Sequence, residues 1–121
     1  DMRLPILYAM AFPERLDTGG DRLDLARTSS LTLATPTRER FPGLYLAYDA
    51  LRAGGTSGAI LNAANEVAVE AFLRGEIAFG RIWHTVQDVL EKLPGAKATT
   101  LDDIYQADQD ARRLASALTL G

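Results

Sequence analysis

From Phe41 to the C-terminus, apolar residues recur three and four positions apart, and glycine and proline cut the run into four pieces. Pro42 opens the first piece and Gly54-Gly55 closes it; Gly75 ends the second; Pro94-Gly95 ends the third; Thr99 or Thr100 precedes the fourth. This punctuation constrains the fold more than any other feature. Proline suits a first helical turn, where its missing N–H leaves no bond unmade, and glycine suits the left-handed residue that terminates a helix. Four amphipathic helices joined by short turns make a small bundle.

The expected inward stripes are Leu44, Ala47, Tyr48 and Leu51 on the first helix, and Ile60, Leu61, Ala64, Val67, Ala68, Ala71 and Phe72 on the second. The third contributes Ile82, Val86, Val89, Leu90 and Leu93, and the fourth Ile104, Ala111, Leu114, Ala115 and Leu118. Asp102 and Asp103 fall in the first turn of the fourth helix, where negative charge complements the helix dipole.

Residues 1–37 have a different character. Pro5 fits the first turn of a short helix carrying Ile6, Leu7, Met10 and Ala11, which Pro13 stops. A turn-rich stretch, RLDTGGDRLD, follows. SSLTLAT then alternates apolar and hydroxyl residues, which predicts a lone β-strand with Leu31 and Leu33 on one face. The expected fold is therefore mainly α: a four-helix bundle over 38–121, preceded by an arm, 1–37, with a short helix and one strand. The chain opens on Asp1 rather than Met, almost directly in an apolar segment, and reads as a piece of a longer protein.

At 121 residues the chain has room for one compact core. The net charge of −3 argues against nucleic-acid binding, which needs a basic stripe. There is no cysteine, so thiolate metal sites and disulfides are excluded. No apolar run reaches the length of a membrane span and no signal peptide is evident, so a cytoplasmic protein is expected.

The candidate polar cluster is Asn62, Asn65 and Glu66, in the first turns of the largely apolar second helix. Metal sites in helical bundles draw Glu and His from several helices, whereas here the single histidine, His84, has no Glu-x-x-His setting. No metal ligand or catalytic residue is expected. Asn65 shares a face with Leu61, Ala68 and Phe72, which predicts a buried amide pinning a neighbouring turn. Asn62 and Glu66, one turn apart, are placed to bond each other or the loop before the third helix. His84 reads as a surface residue. Gly54, Gly55 and Gly58 read as a helix–helix turn, since no strand precedes them and no Gly-Lys-Ser/Thr follows. Asp102, Asp103, Asp108 and Asp110 read as capping and solubility residues, with Asp108 one turn before Arg112.

An ordered set of stretches then resembles the C-terminal part of 1-deoxy-D-xylulose 5-phosphate reductoisomerases. They are DMRLPILYAMAFPERLDTG, LDL…SSLTL and ERFPGLYLAYDALRAGGTSGAILNAANEVAVEAFL, running from Asp1 to about Leu118. LNAANEVAVEAFL at its distance from PERLD is the most specific element. The resemblance implies the last helix of a catalytic domain, a connector and a C-terminal bundle. It further implies a full-length homodimer that uses NADPH and a divalent metal, Mg or Mn, in isoprenoid biosynthesis. The nucleotide, metal and phosphate sites would lie upstream, so this portion would bind neither cofactor and be inactive alone. Met2 corresponds to a methionine lining the family's substrate pocket. Gly43 and Gly80 depart from the family pattern, and Gly80 should weaken the start of the third helix. The competing expectation is a free-standing helical interaction module.

Overall fold

The computed structural model describes residues 2–20, 23–28 and 30–120; Asp1, Ser29 and part of the turn-rich stretch lie outside the described residues. Among the described residues six helices follow in order: α1 (Arg3–Ala11), α2 (Leu25–Thr28), α3 (Pro42–Ala53), α4 (Ser57–Leu73), α5 (Arg81–Lys92) and α6 (Leu101–Thr119). The chain divides into two compact units, Asp1–Ala34 and Thr35–Gly121.

In the first unit α1 starts two residues before Pro5 and ends before Pro13. It buries none of its residues: Leu4, Ile6 and Met10 are all exposed, as is Phe12 just after it. The single turn α2 was not anticipated. Asp24 caps it, its carboxylate accepting from the N–H groups of Ala26 at 3.0 Å and Arg27 at 3.3 Å. The expected strand is not found. Residues 30–36 adopt no regular structure, and Leu31 and Leu33 are 73% and 91% exposed. A strand exists only by pairing its backbone with another strand, and among the described residues every regular element is helical. The alternation in sequence was genuine, but it carried no partner.

The second unit is the bundle. Helix α4 lies at its centre, packed against α3, α5 and α6, while α5 also meets α3 and α6. The core consists of Ile60, Ala63 and Ala64 from α4, Val86 and Val89 from α5, and Ala111 and Ala115 from α6. Leu46, Leu61, Val67, Leu90, Leu93, Leu114 and Leu118 pack around it. A helix touched on three sides must be slim. Ala63, Ala64, Ala68 and Ala71 of α4 and Ala111 and Ala115 of α6 are all fully buried, so small side chains line the packed faces.

The inward faces of α4, α5 and α6 match the periodic stripes, but that of α3 does not. Leu44, Tyr48 and Leu51 are 42%, 49% and 75% exposed, and α3 instead turns Leu46 and Ala50 toward the core. Apolar residues occur on both sides of this helix, and periodicity alone cannot say which side meets α4. The segment before the helix is tied along one side of it. The Tyr45 hydroxyl donates to the Pro36 carbonyl at 2.7 Å, and the Arg38 guanidinium bonds both Asp49 oxygens, at 2.7 and 3.3 Å. Arg38 also lies over the Tyr45 ring, 4.9 Å from its centre.

Two turns interlock at one end of the bundle. Gly54 and Gly55 take positive φ, +69° and +54°, between α3 and α4. Thr56 then pairs with the α5–α6 connection: its N–H donates to the Ala96 carbonyl at 2.9 Å, and its Oγ1 accepts from the Ala96 N–H at 3.0 Å. This is the helix–helix turn read from the glycines.

Thr100 caps α6 and forms a capping box with Asp103. The Asp103 carboxylate accepts from the Thr99 and Thr100 N–H groups and the Thr99 hydroxyl at 2.8–2.9 Å. These bonds, the one from the Thr99 backbone foremost, pull its pKa from 3.8 down to about 2. A depressed carboxylate pKa contributes stability that is complete above about 3.8 and disappears as pH falls through about 2. A carboxyl-carbon NMR titration of Asp103 should therefore show a midpoint near 2, moving upward in Thr100→Ala; an ordinary carboxylate midpoint would refute the cap.

Candidate functional site

The polar residues of α4 separate into two faces. On one, Asn62 Nδ2 donates to Glu66 Oε1 at 3.0 Å, and Arg112 Nη2 of α6 donates to Glu66 Oε2 at 2.6 Å. Arg112 Nε donates to Asp108 Oδ2 at 2.8 Å, one turn back along α6. One guanidinium thus joins carboxylates from both helices. The hydrogen bond from Arg112, then that from Asn62, lowers the Glu66 pKa, while Asp108 and then Glu66 raise that of Arg112. The network is well formed but half in solvent: the Arg112 and Glu66 side chains are 41% and 51% exposed. It ties two helices together on their solvent-facing side.

On the other face stands Asn65, and here the buried amide expected from the sequence is corrected. Asn65 is exposed, and its side-chain amide has no hydrogen-bond partner among the described residues. Its helical neighbours Leu61 and Phe72 are only half-buried, so this edge of the apolar stripe is left uncovered. Asn62 and Glu66 are brought together; Asn65 is not with them.

Asn65 lines a groove of about 480 Å³ among α3, α4 and α5. Its walls are largely apolar: Phe41, Leu44, Leu61, Phe79, Ile82 and Trp83 all contribute. Phe79, in the α4–α5 loop, is 72% exposed and meets the edge of the Phe72 ring with centroids 5.6 Å apart. Arg40 also lines it, its guanidinium 5.5 Å from the centre of the Phe41 ring. The sequence reading missed this groove, because its walls come from three helices and a loop, and the signal available was only an unexplained excess of aromatics near Phe41 and Phe79.

The remaining candidates fall outside it. His84 is exposed, with its ring against Trp83 at 3.4 Å between centroids. Asp110 pairs with Arg113, and Asp102 lies exposed in the first turn of α6. Gly80 begins α5 without any side-chain cap. In the other unit Met2 is 69% exposed, just before α1. Among the described residues no three His, Cys, Asp or Glu side chains converge into a group able to hold a metal ion. Nor is any described helix long and apolar enough to cross a membrane.

The profile of the DXP reductoisomerase C-terminal domain matches residues 1–114. The 1-deoxy-D-xylulose 5-phosphate reductoisomerase of Cupriavidus metallidurans is 56% identical over 117 residues, which are 97% of this chain and 30% of that protein. That of Burkholderia cenocepacia is 54% identical over 118 residues, 98% of this chain and again 30% of the relative. Among solved structures, the reductoisomerase from Zymomonas mobilis in complex with NADPH superposes with a TM-score of 0.82 at 38% identity, covering 100% of this chain and 32% of that one. A DOX-P reductoisomerase in complex with NADPH, fosmidomycin and magnesium gives 0.81 at 35% identity, covering 98% and 31%. The chain therefore spans about 30% of the length of the curated relatives it matches.

Proposed function

Because this chain belongs to the DXP reductoisomerase family, matching its C-terminal domain over residues 1–114, we propose that it serves as the C-terminal portion of such an enzyme. The reaction would be conversion of 1-deoxy-D-xylulose 5-phosphate to 2-C-methyl-D-erythritol 4-phosphate with NADPH and a divalent metal, Mg or Mn, in non-mevalonate isoprenoid biosynthesis. The observation that carries this reading is the nearly complete match of the chain to one end of relatives more than three times as long.

Within that enzyme the role of these residues is structural. The donor set does not suit a magnesium site, because no group of metal-binding side chains converges among the described residues. NADPH and metal belong with the upstream part. Residues 1–37 would be the end of the catalytic domain and the connecting arm, and 38–121 the bundle that supports it. Met2 is the residue assigned to the substrate-pocket wall. Its thioether is exposed and flexible, which suits a wall that adapts to a moving substrate. Asn62, Glu66 and Arg112 hold α4 to α6, and so keep the supporting surface in shape. A homodimeric, cytoplasmic enzyme completes the reading.

The test is substrate-dependent NADPH oxidation in the presence of Mg or Mn, measured on the purified 121-residue chain and on the longer polypeptide containing it. Turnover is expected only from the longer polypeptide, since catalysis requires cofactor and substrate to be held together. Turnover by the 121-residue chain, or none by the longer polypeptide, overturns the proposal.

A further inference from the structure

The groove beside Asn65 is too apolar to be an indifferent piece of surface, and it is not isolated. Leu44 at its edge continues along α3 into Tyr48 and Leu51, an apolar stripe that faces away from the core and stays exposed. Two polar groups interrupt the apolar walls. The Asn65 amide offers both donor and acceptor and satisfies neither within the described residues. Arg40, also in the lining, stacks on Phe41 and meets no carboxylate among the described residues.

These features select an occupant. A purely apolar ligand, such as a lipid tail, would bury the Asn65 amide without a partner, at a cost of several times thermal energy. A polypeptide segment in extended conformation supplies what the amide lacks, a backbone N–H and C=O side by side, while its apolar side chains fill the groove. An acidic residue next to it would answer Arg40.

We propose that this groove and the α3 stripe receive one segment of the upstream polypeptide: an extended apolar stretch whose backbone pairs with Asn65, with a carboxylate against Arg40. This rests on the reading of the chain as the C-terminal portion of a longer enzyme. The relatives carry about 70% of their length outside the matched region, which supplies ample chain for such a contact.

The experiment places the photocrosslinker p-benzoylphenylalanine at Phe79 of the longer polypeptide and maps the products by mass spectrometry, using a mixture of isotopically light and heavy protein. An intramolecular cross-link to an apolar segment upstream of Asp1 is expected. Cross-links only between light and heavy copies, only within the 121 residues, or none at all overturn the proposal. Arg40→Glu and Asn65→Asp provide a second readout. In the 121-residue chain both should change the unfolding equilibrium constant by less than about twofold, or about 0.5 kcal/mol, because among the described residues neither side chain has a hydrogen-bond or ion-pair partner and Arg40 only stacks on Phe41. In the longer polypeptide each should speed hydrogen exchange in the cross-linked segment by roughly tenfold, the loss of one buried hydrogen bond or ion pair. Unchanged exchange overturns the pairing. If the longer polypeptide turns over substrate while these tests fail, the docking proposal falls and the functional reading stands. If it shows no turnover, the functional reading falls first.

Discussion

Gly55→Ala is expected to destabilise the bundle by about 2–5 kcal/mol, combining about 1–2 for a non-glycine residue in the left-handed region with about 1–3 for overpacking. At φ +54° an added Cβ would lie 2.1 Å from the Ala96 carbonyl oxygen and 2.9 Å from its carbon. Those are backbone atoms, so no side-chain rotation relieves the clash. The Ala96 carbonyl also accepts the Thr56 N–H, so moving it aside disrupts the pair of bonds between the two turns. The neighbouring glycine lacks the steric part. Gly54 has φ +69° with ψ −157°, a region essentially reserved for glycine, yet nothing lies within 4 Å of its added Cβ, so Gly54→Ala should incur only a conformational cost, about 1–3 kcal/mol. Urea unfolding followed by far-ultraviolet circular dichroism measures both. A Gly55→Ala midpoint equal to that of the wild type would mean that the turns do not interlock as described. Gly95→Ala tests the opposite wall, where an added Cβ would meet Ser57 Oγ at 1.8 Å and Ser57 N at 2.9 Å.

Ala64→Leu should be the most damaging substitution within the helices themselves. Ala64 is fully buried in the core with Ile60, Val89, Ala111 and Ala115. The larger side chain would have to push α4 away from its neighbours, at an expected cost of about 1–3 kcal/mol despite its greater hydrophobicity. Leu73→Ala at the exposed end of the same helix should change stability by less than about 0.5 kcal/mol, as for other surface positions. If Ala64→Leu unfolds at or above the wild-type midpoint, the small-residue packing of α4 is not what holds the bundle closed.

The sequence spoke most clearly where a local rule was also the global one. Pro42, the Gly54-Gly55 pair, Gly75 and Thr100 act through backbone geometry and capping, which depend on adjacent residues, and all four helix boundaries fall where those residues put them. The stripes of α5 and α6 were legible for a related reason: each has one apolar side. Helix α4 was read correctly but incompletely. Its contacts on three sides bury a wider arc than one stripe, which brought Ala63 inside as well.

Where the decision belonged to a neighbour, the sequence was silent. Leu44, Tyr48 and Leu51 form a proper amphipathic pattern, but it is the other side of α3 that α4 covers. Asn65 lies at the edge of a stripe, where the placing of neighbouring helices decides between burial and exposure. Leu31 and Leu33 alternate as strand residues do, and alternation says nothing of the second strand that must be present. As for the site, the Asn62–Glu66 contact could be foreseen from helical spacing. The addition of Arg112, 46 residues away, could not.

The paired bonds between Thr56 and Ala96 also govern the order in which the bundle can assemble. They join positions 40 apart in sequence, across the whole of α4 and α5. Chain entropy opposes closing a loop of that length, and the opposition weakens once the intervening helices have already doubled back on each other. The α4–α5 hairpin, with its short connection at residues 74–80, is the piece that shortens the path. The two turns therefore seal a structure that is largely in place. Because they close late, weakening them speeds unfolding more than it slows folding.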